Sequence, residues 1–186
     1  MIDIKLLKTH MYDVIGALHE VHKELGPGIN EVCYQEGLAI ELKERNIAFS
    51  KEVSFHPKYH NKILGSTYRV DFICKQNIVI ECKAVTFLSD NHRAQLFNYM
   101  RLLEYPCGIL VNFATRYAEI ERYFYDKDLK KIVTTEGKPF IFCIIRKTKC
   151  FVTAKRNVLF AKRSVYKKEL LLYCDTRGTL FLFVNT

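Results

Sequence analysis

Residues 78–85 read Ile-Val-Ile-Glu-Cys-Lys-Ala-Val, an apolar run interrupted by one carboxylate and one ammonium. Its length and β-branched content predict a buried strand. Alternate side chains of a strand share a face, so Glu81 and Lys83 point one way and Ile78, Ile80 and Cys82 the other. A charged pair on a central strand is costly unless it is paired or used. Taken alone, Glu-x-Lys reads as an exposed strand face carrying a salt bridge. Asp71 changes that reading. It lies ten residues before Glu81, across the turn Lys75-Gln76-Asn77, and a hairpin there sets it approximately opposite Glu81.

The surrounding pattern places this strand in a layered domain. Residues 6–25 carry Leu7, Met11, Val14, Ile15, Leu18, Val21, His22 and Leu25 at spacings of three and four, which predicts an amphipathic helix. Gly26-Pro27-Gly28 ends it. Asn30 caps a second helix running to about Asn46, with Val32, Tyr34, Leu38 and Leu42 facing inward. Residues 49–59 and 63–74 read as strands joined by a turn at Asn61-Lys62. Asp90 or Asn91 starts a helix to about Glu104, and strands follow at 108–113 and 119–125. Two helices, three strands, a helix and two strands predict an α/β fold with helices flanking a mixed sheet.

Asp71 and Glu81 together suit one Mg²⁺, a hard cation that takes oxygen ligands and keeps several waters; Mn²⁺ is a substitute. Lys83 would lower the pKa of an attacking water or steady transition-state charge. Arg69 shares a face with Asp71 and would pair with it, with phosphate or in a simple salt bridge. Gln95 and Tyr99 form an i, i+4 pair on one helix face, where an amide would position a water or contact phosphate, or simply pack. Glu31 opens the second helix, where the helix dipole favours an acid. Converging carboxylates and a lysine are what metal-dependent phosphodiester cleavage requires.

These residues also carry a family resemblance. Gly28-Ile29-Asn30-Glu31-Val32-Cys33-Tyr34 matches G-x-x-E-x-x-Y. Asp71 with Glu81-Cys82-Lys83 resembles the D…(D/E)-x-K signature of PD-(D/E)XK nucleases, and Gln95-Leu96-Phe97-Asn98-Tyr99 resembles the Q-x-x-x-Y motif of one of their branches. Together, over roughly residues 5–127, they look like the bacterial GxxExxY protein family of that superfamily. The resemblance implies a restriction-endonuclease-like core of αβββαβ topology. It implies Glu31, Asp71 and Glu81 as metal ligands or nearby acids, Lys83 as the catalytic lysine, and Gln95 as a water or phosphate contact. Val70 stands where the name-giving proline would be.

Charge divides the chain at about residue 130. Residues 1–130 carry 17 basic and 17 acidic residues, whereas residues 131–186 carry 12 basic and 3 acidic ones. The first part is read as the nuclease-like domain and the second as a basic C-terminal extension. The extension would be a nucleic-acid-binding addition, a small segment with a solvated basic face, or a poorly ordered terminus. The seven cysteines show no C-x-x-C spacing and read as buried reduced thiols. His19 and His22 read as a solvated or polar-core pair. No apolar run approaches the ~20 residues of a spanning helix, and the first residues lack a signal-peptide plan. A soluble cytoplasmic enzyme acting on nucleic acid, with DNA the favoured substrate and no membrane partner, is the expectation. A non-catalytic nucleic-acid-binding or regulatory module on the same fold is the alternative.

Overall fold

The computed structural model describes residues 4–75 and 77–134, and beyond them four strand segments between 153 and 184. Helix α1 (Ile4–Leu25) and helix α2 (Glu31–Glu44) come first. Strands β1 (Phe49–Phe55), β2 (Lys58–Tyr59), β3 (Lys62–Ile63), β4 (Tyr68–Cys74) and β5 (Ile78–Lys83) follow. Then come α3 (Asp90–Leu103), β6 (Cys107–Asn112), β7 (Glu119–Asp126) and β8 (Lys131–Thr134). Six strands form one sheet in the order β1-β4-β5-β6-β7-β8. Only β5 and β6 run parallel, because α3 makes the crossover between them. The expected mixed sheet flanked by helices is therefore present. Its last strand lies past the charge boundary, so residue 130 falls inside one sheet.

One face of the sheet packs against α1 and α2. Leu7, Met11, Val14, Leu18 and Val21 form the stripe of α1, and Tyr34, Leu38 and Leu42 that of α2. They close over Phe72, Ile78, Ile80, Cys82, Ile109 and Val111. The turn between the helices explains Gly28 and Tyr34 of the G-x-x-E-x-x-Y segment, and Gly26 just before it. Gly26 and Gly28 adopt φ of +67° and +97°, which favours glycine. The buried Tyr34 donates its hydroxyl hydrogen to the Gly26 carbonyl at 2.6 Å and stacks on Phe113 at 4.6 Å. Asn30 caps α2 by accepting from the Cys33 amide at 3.0 Å.

The other face carries α3, whose Leu96, Phe97, Tyr99 and Met100 are buried. Gly108 of β6 allows the close approach, since a side chain there would run into Met100. Arg93 clasps α3 to β7 through a two-pronged pair with Glu121, at 2.8 and 2.5 Å.

Several local expectations are corrected. Val32 is 57% exposed, because it sits about 200° around the helix from Tyr34. Leu25, at the end of α1, is also exposed. The long hairpin expected across 49–74 is broken at Pro57, and residues 58–63 form their own two-stranded ribbon, turning at His60-Asn61. Helix α3 does start at Asp90, with Ser89 as its cap. Cys74, Cys82 and Cys107 are free and buried as expected, but Cys33 is exposed; Cys143 and Cys150 lie outside the described residues, as does the strand expected at 140–145. His22 is a buried core histidine bonded to the Thr115 carbonyl at 2.9 Å.

A second compact unit spans residues 142–186. It contains β9 (Thr153–Lys155), β10 (Val158–Ala161), β11 (Leu170–Cys174) and β12 (Leu180–Val184), paired antiparallel in sequence order. The expected hairpin of 170–174 with 179–184 is thus present within one residue. Among the described residues, no helix is long and apolar enough to cross a membrane.

Candidate active site

The ladder between β4 and β5 is short. It pairs Phe72 with Ile80, Ile73 with Val79 and Cys74 with Ile78. One step further stand Asp71 and Glu81. There the Asp71 carboxylate accepts the Cys82 amide at 2.8 Å, where a main-chain bond would otherwise run. The ladder on the other side of β4 also skips this level: Glu52 is left-handed, with φ 54°, and the β1–β4 pairs resume on either side of it. A non-glycine residue held there costs about 1 kcal/mol or more, a strain typical of functional sites. Meanwhile β5 stays paired to β6 as far as Lys83 opposite Asn112. The sheet is loosened around Asp71 and firm behind Lys83.

Strand parity puts Asp71, Glu81 and Lys83 on the α3 face, as expected. Glu81 is 1% exposed. Its Oε1 accepts from Lys83 Nζ at 2.6 Å, and its Oε2 is buried without a hydrogen-bond partner. Burial, reinforced by the charge of Asp71, pushes Glu81 up to about 7 despite Lys83. Burial also lifts Asp71, against the Cys82 amide and Lys83. Glu31 reaches the same field from the start of α2: burial and Asp71 raise it, while Lys83 and the Ala84 amide oppose. Burial works against the Lys83 charge, but Glu81, Glu31 and Asp71 outweigh it and hold the ammonium above the ordinary lysine range. Three acids thus share one lysine.

Gln95 and Tyr99 also lie here. The Gln95 amide donates to the Tyr99 hydroxyl at 3.0 Å. Tyr99 is 5% exposed, edge-on to Phe55 and Tyr68, and raised mainly by burial, with Glu81 and Asp71 adding to it. Arg69 pairs with Glu52 at 3.4 Å at the exposed rim, and its charge is felt by Asp71.

Two residues escaped the sequence reading. His92 completes a capping box with Ser89 and is lowered by burial and by Lys83; the Ser-x-x-His spacing was its only signal. Asn112 is fully buried and bonds both the amide and the carbonyl of Val85, at 3.0 and 2.8 Å, fixing the chain just past Lys83. A lone amide ending an apolar strand was the available hint.

The donor set fits a divalent ion. Ionised together, the three acids would carry two negative charges more than Lys83 offsets, and a buried carboxylate oxygen lacks a partner. Among the described residues no three His, Cys, Asp or Glu side chains gather into a ready-made metal cage. That suits an ion held by one or two carboxylates with waters and substrate completing its shell.

A family model described as the PD-(D/E)XK nuclease superfamily matches residues 8–123. The chain belongs to that superfamily, whose members are generally nucleases and typically use divalent metals. No curated protein matches it significantly. One similar solved structure, "Crystal structure of SSO0001", has 25% identity and a TM-score of 0.40, covering 51% of each chain. This chain therefore spans about half the length of that protein, a likeness too partial to add to the family match.

Proposed function

We propose that this protein is a Mg²⁺-dependent nuclease that hydrolyses phosphodiester bonds, with DNA as its substrate, and that it belongs to the GxxExxY branch. The unpartnered, buried Glu81 oxygen beside Asp71 and Lys83 is the observation that carries the reading. Asp71 and Glu81 would hold the ion, with Glu31 as a nearby acid. A divalent ion bound there supplies an activated water and neutralises charge on the scissile phosphate. Lys83, already aimed by Glu81, presents its ammonium where negative charge grows during attack. Gln95, oriented by the Tyr99 hydroxyl, offers its amide to a water or a phosphate oxygen. Arg69 stands at the rim for a flanking phosphate. The branch assignment is supported by the turn that Gly28 and Tyr34 shape and by Glu31 entering the site from it.

The test is cleavage of linear, circular and single-stranded DNA with Mg²⁺, Mn²⁺ or EDTA. Metal-dependent cutting should be lost in Glu81→Ala and Lys83→Ala. If no substrate is cut, and wild type and variants bind DNA equally, the non-catalytic module replaces the enzyme.

A further inference from the structure

The ribbon of residues 58–63 has no part in the chemistry above. It pairs Lys58 with Ile63 and Tyr59 with Lys62, and it turns through His60 and Asn61, both left-handed, at φ 45° and 62°. Two positive φ values in a two-residue loop are those of a type I′ turn, which matches strand twist and closes a tight hairpin. All six residues are exposed, Tyr59 at 65% and Ile63 at 68%.

Its position follows from topology. Strand β1 ends and β4 begins at the Phe55–Tyr68 pair, three residues from Asp71, so the ribbon leaves the sheet at its catalytic end. Its root is pinned there. The Leu64 amide donates to the Pro57 carbonyl at 2.9 Å, and His56 Nδ1 lies 3.2 Å from the Ser66 carbonyl. The rings of Phe55 and Tyr68 pack on Tyr99, which anchors Gln95.

Charge names the partner. No acidic residue occurs between Glu52 and Asp71, a stretch holding Lys58, Lys62 and Arg69, although residues 1–130 are balanced in charge. An exposed, acid-free ribbon with lysines on both strands and a tyrosine beside its turn has the chemistry that meets a phosphate backbone.

We propose that the ribbon of residues 58–63 is a substrate arm that grips the nucleic-acid backbone beside the catalytic centre, through Lys58 and Lys62, with Tyr59 against the sugar or base. The assignment rests on the nuclease reading. The experiment uses the full chain and a fluorescently labelled DNA duplex in EDTA, over a range of salt. Lys58→Ala with Lys62→Ala should weaken binding about tenfold and lower the slope of log affinity on log salt by about two, roughly one per lysine. Lys127→Ala with Lys130→Ala removes the same charge in the turn between β7 and β8, at the opposite end of the sheet, and should change affinity less than about twofold. With Mg²⁺, the arm variant should raise KM and keep kcat. Equal loss in both double variants, or loss in neither, overturns the arm while leaving the nuclease intact if Glu81→Ala still stops cutting. A wild type that neither binds nor cuts DNA overturns both.

Discussion

The two faces of the central sheet are built from the same strands and obey opposite rules. Toward α1 and α2, Phe72, Cys74, Ile78, Ile80 and Cys82 are fully buried and apolar. Toward α3, one residue out of step, stand Asp71, Glu81 and Lys83. The dry face supplies stability that the charged face spends. A strand of six residues can host a costly chemical site because its alternate positions are sealed into a core.

That contrast can be broken from either side. The largest effect should come from Glu81→Ala or Lys83→Ala, each lowering cleavage on the order of a thousandfold under saturating metal and DNA, as transition-state charge stabilisation is lost. Phe72→Ala, on the dry face, should cost about 3–5 kcal/mol in denaturant unfolding, through lost burial and a cavity. It should slow cleavage only insofar as the protein unfolds.

Glu81→Gln sharpens the contrast, because it should stabilise the protein while stopping the chemistry. The folded-state pKa of Glu81, about 7, lies above its ordinary value of 4.5. Between those values the folded protein keeps a proton that the unfolded chain releases. Metal-free wild type therefore loses stability as pH rises through that window and stays at the lower level above it. The glutamine variant should be more stable by on the order of 2 kcal/mol at pH 8, and its advantage should shrink toward zero near pH 4.5. Thermal melts across pH in EDTA measure this, and no advantage at pH 8 would refute the burial cost. The smallest effect should be that of Arg93→Ala, which removes the clasp of α3 on Glu121 and should cost ~1–2 kcal/mol. A Tm unchanged by that substitution would show that apolar packing alone holds α3.

The parity of β5 and the stripe of α1 were readable because a strand and an amphipathic helix record their faces in local periodicity. So was the nearness of Asp71 to Glu81, since a tight turn fixes register. Val32 departs from the sequence pattern because several phases of α2 offer apolar residues, and only the docked helix selects among them. The break at Pro57 is hidden in the sequence by the alternation on both sides of it. The bonds of Asn112 and the left-handed turn of Glu52 leave little trace in the sequence, because their partners, Val85 and Arg69, are distant in sequence and brought to them by the finished sheet.

Tyr34 carries a last consequence. Its hydroxyl bolts the turn that delivers Glu31, yet its ring lies in the core on the far side of the sheet from Lys83. The site thus draws one of its acids from a layer that must already be docked. A chain still emerging, or partly opened, can present Asp71, Glu81 and Lys83 on their hairpin without the third acid in place. On the proposed nuclease reading, the third acid would therefore depend on the docking of α2, whereas the other two acids and the lysine depend on the hairpin alone.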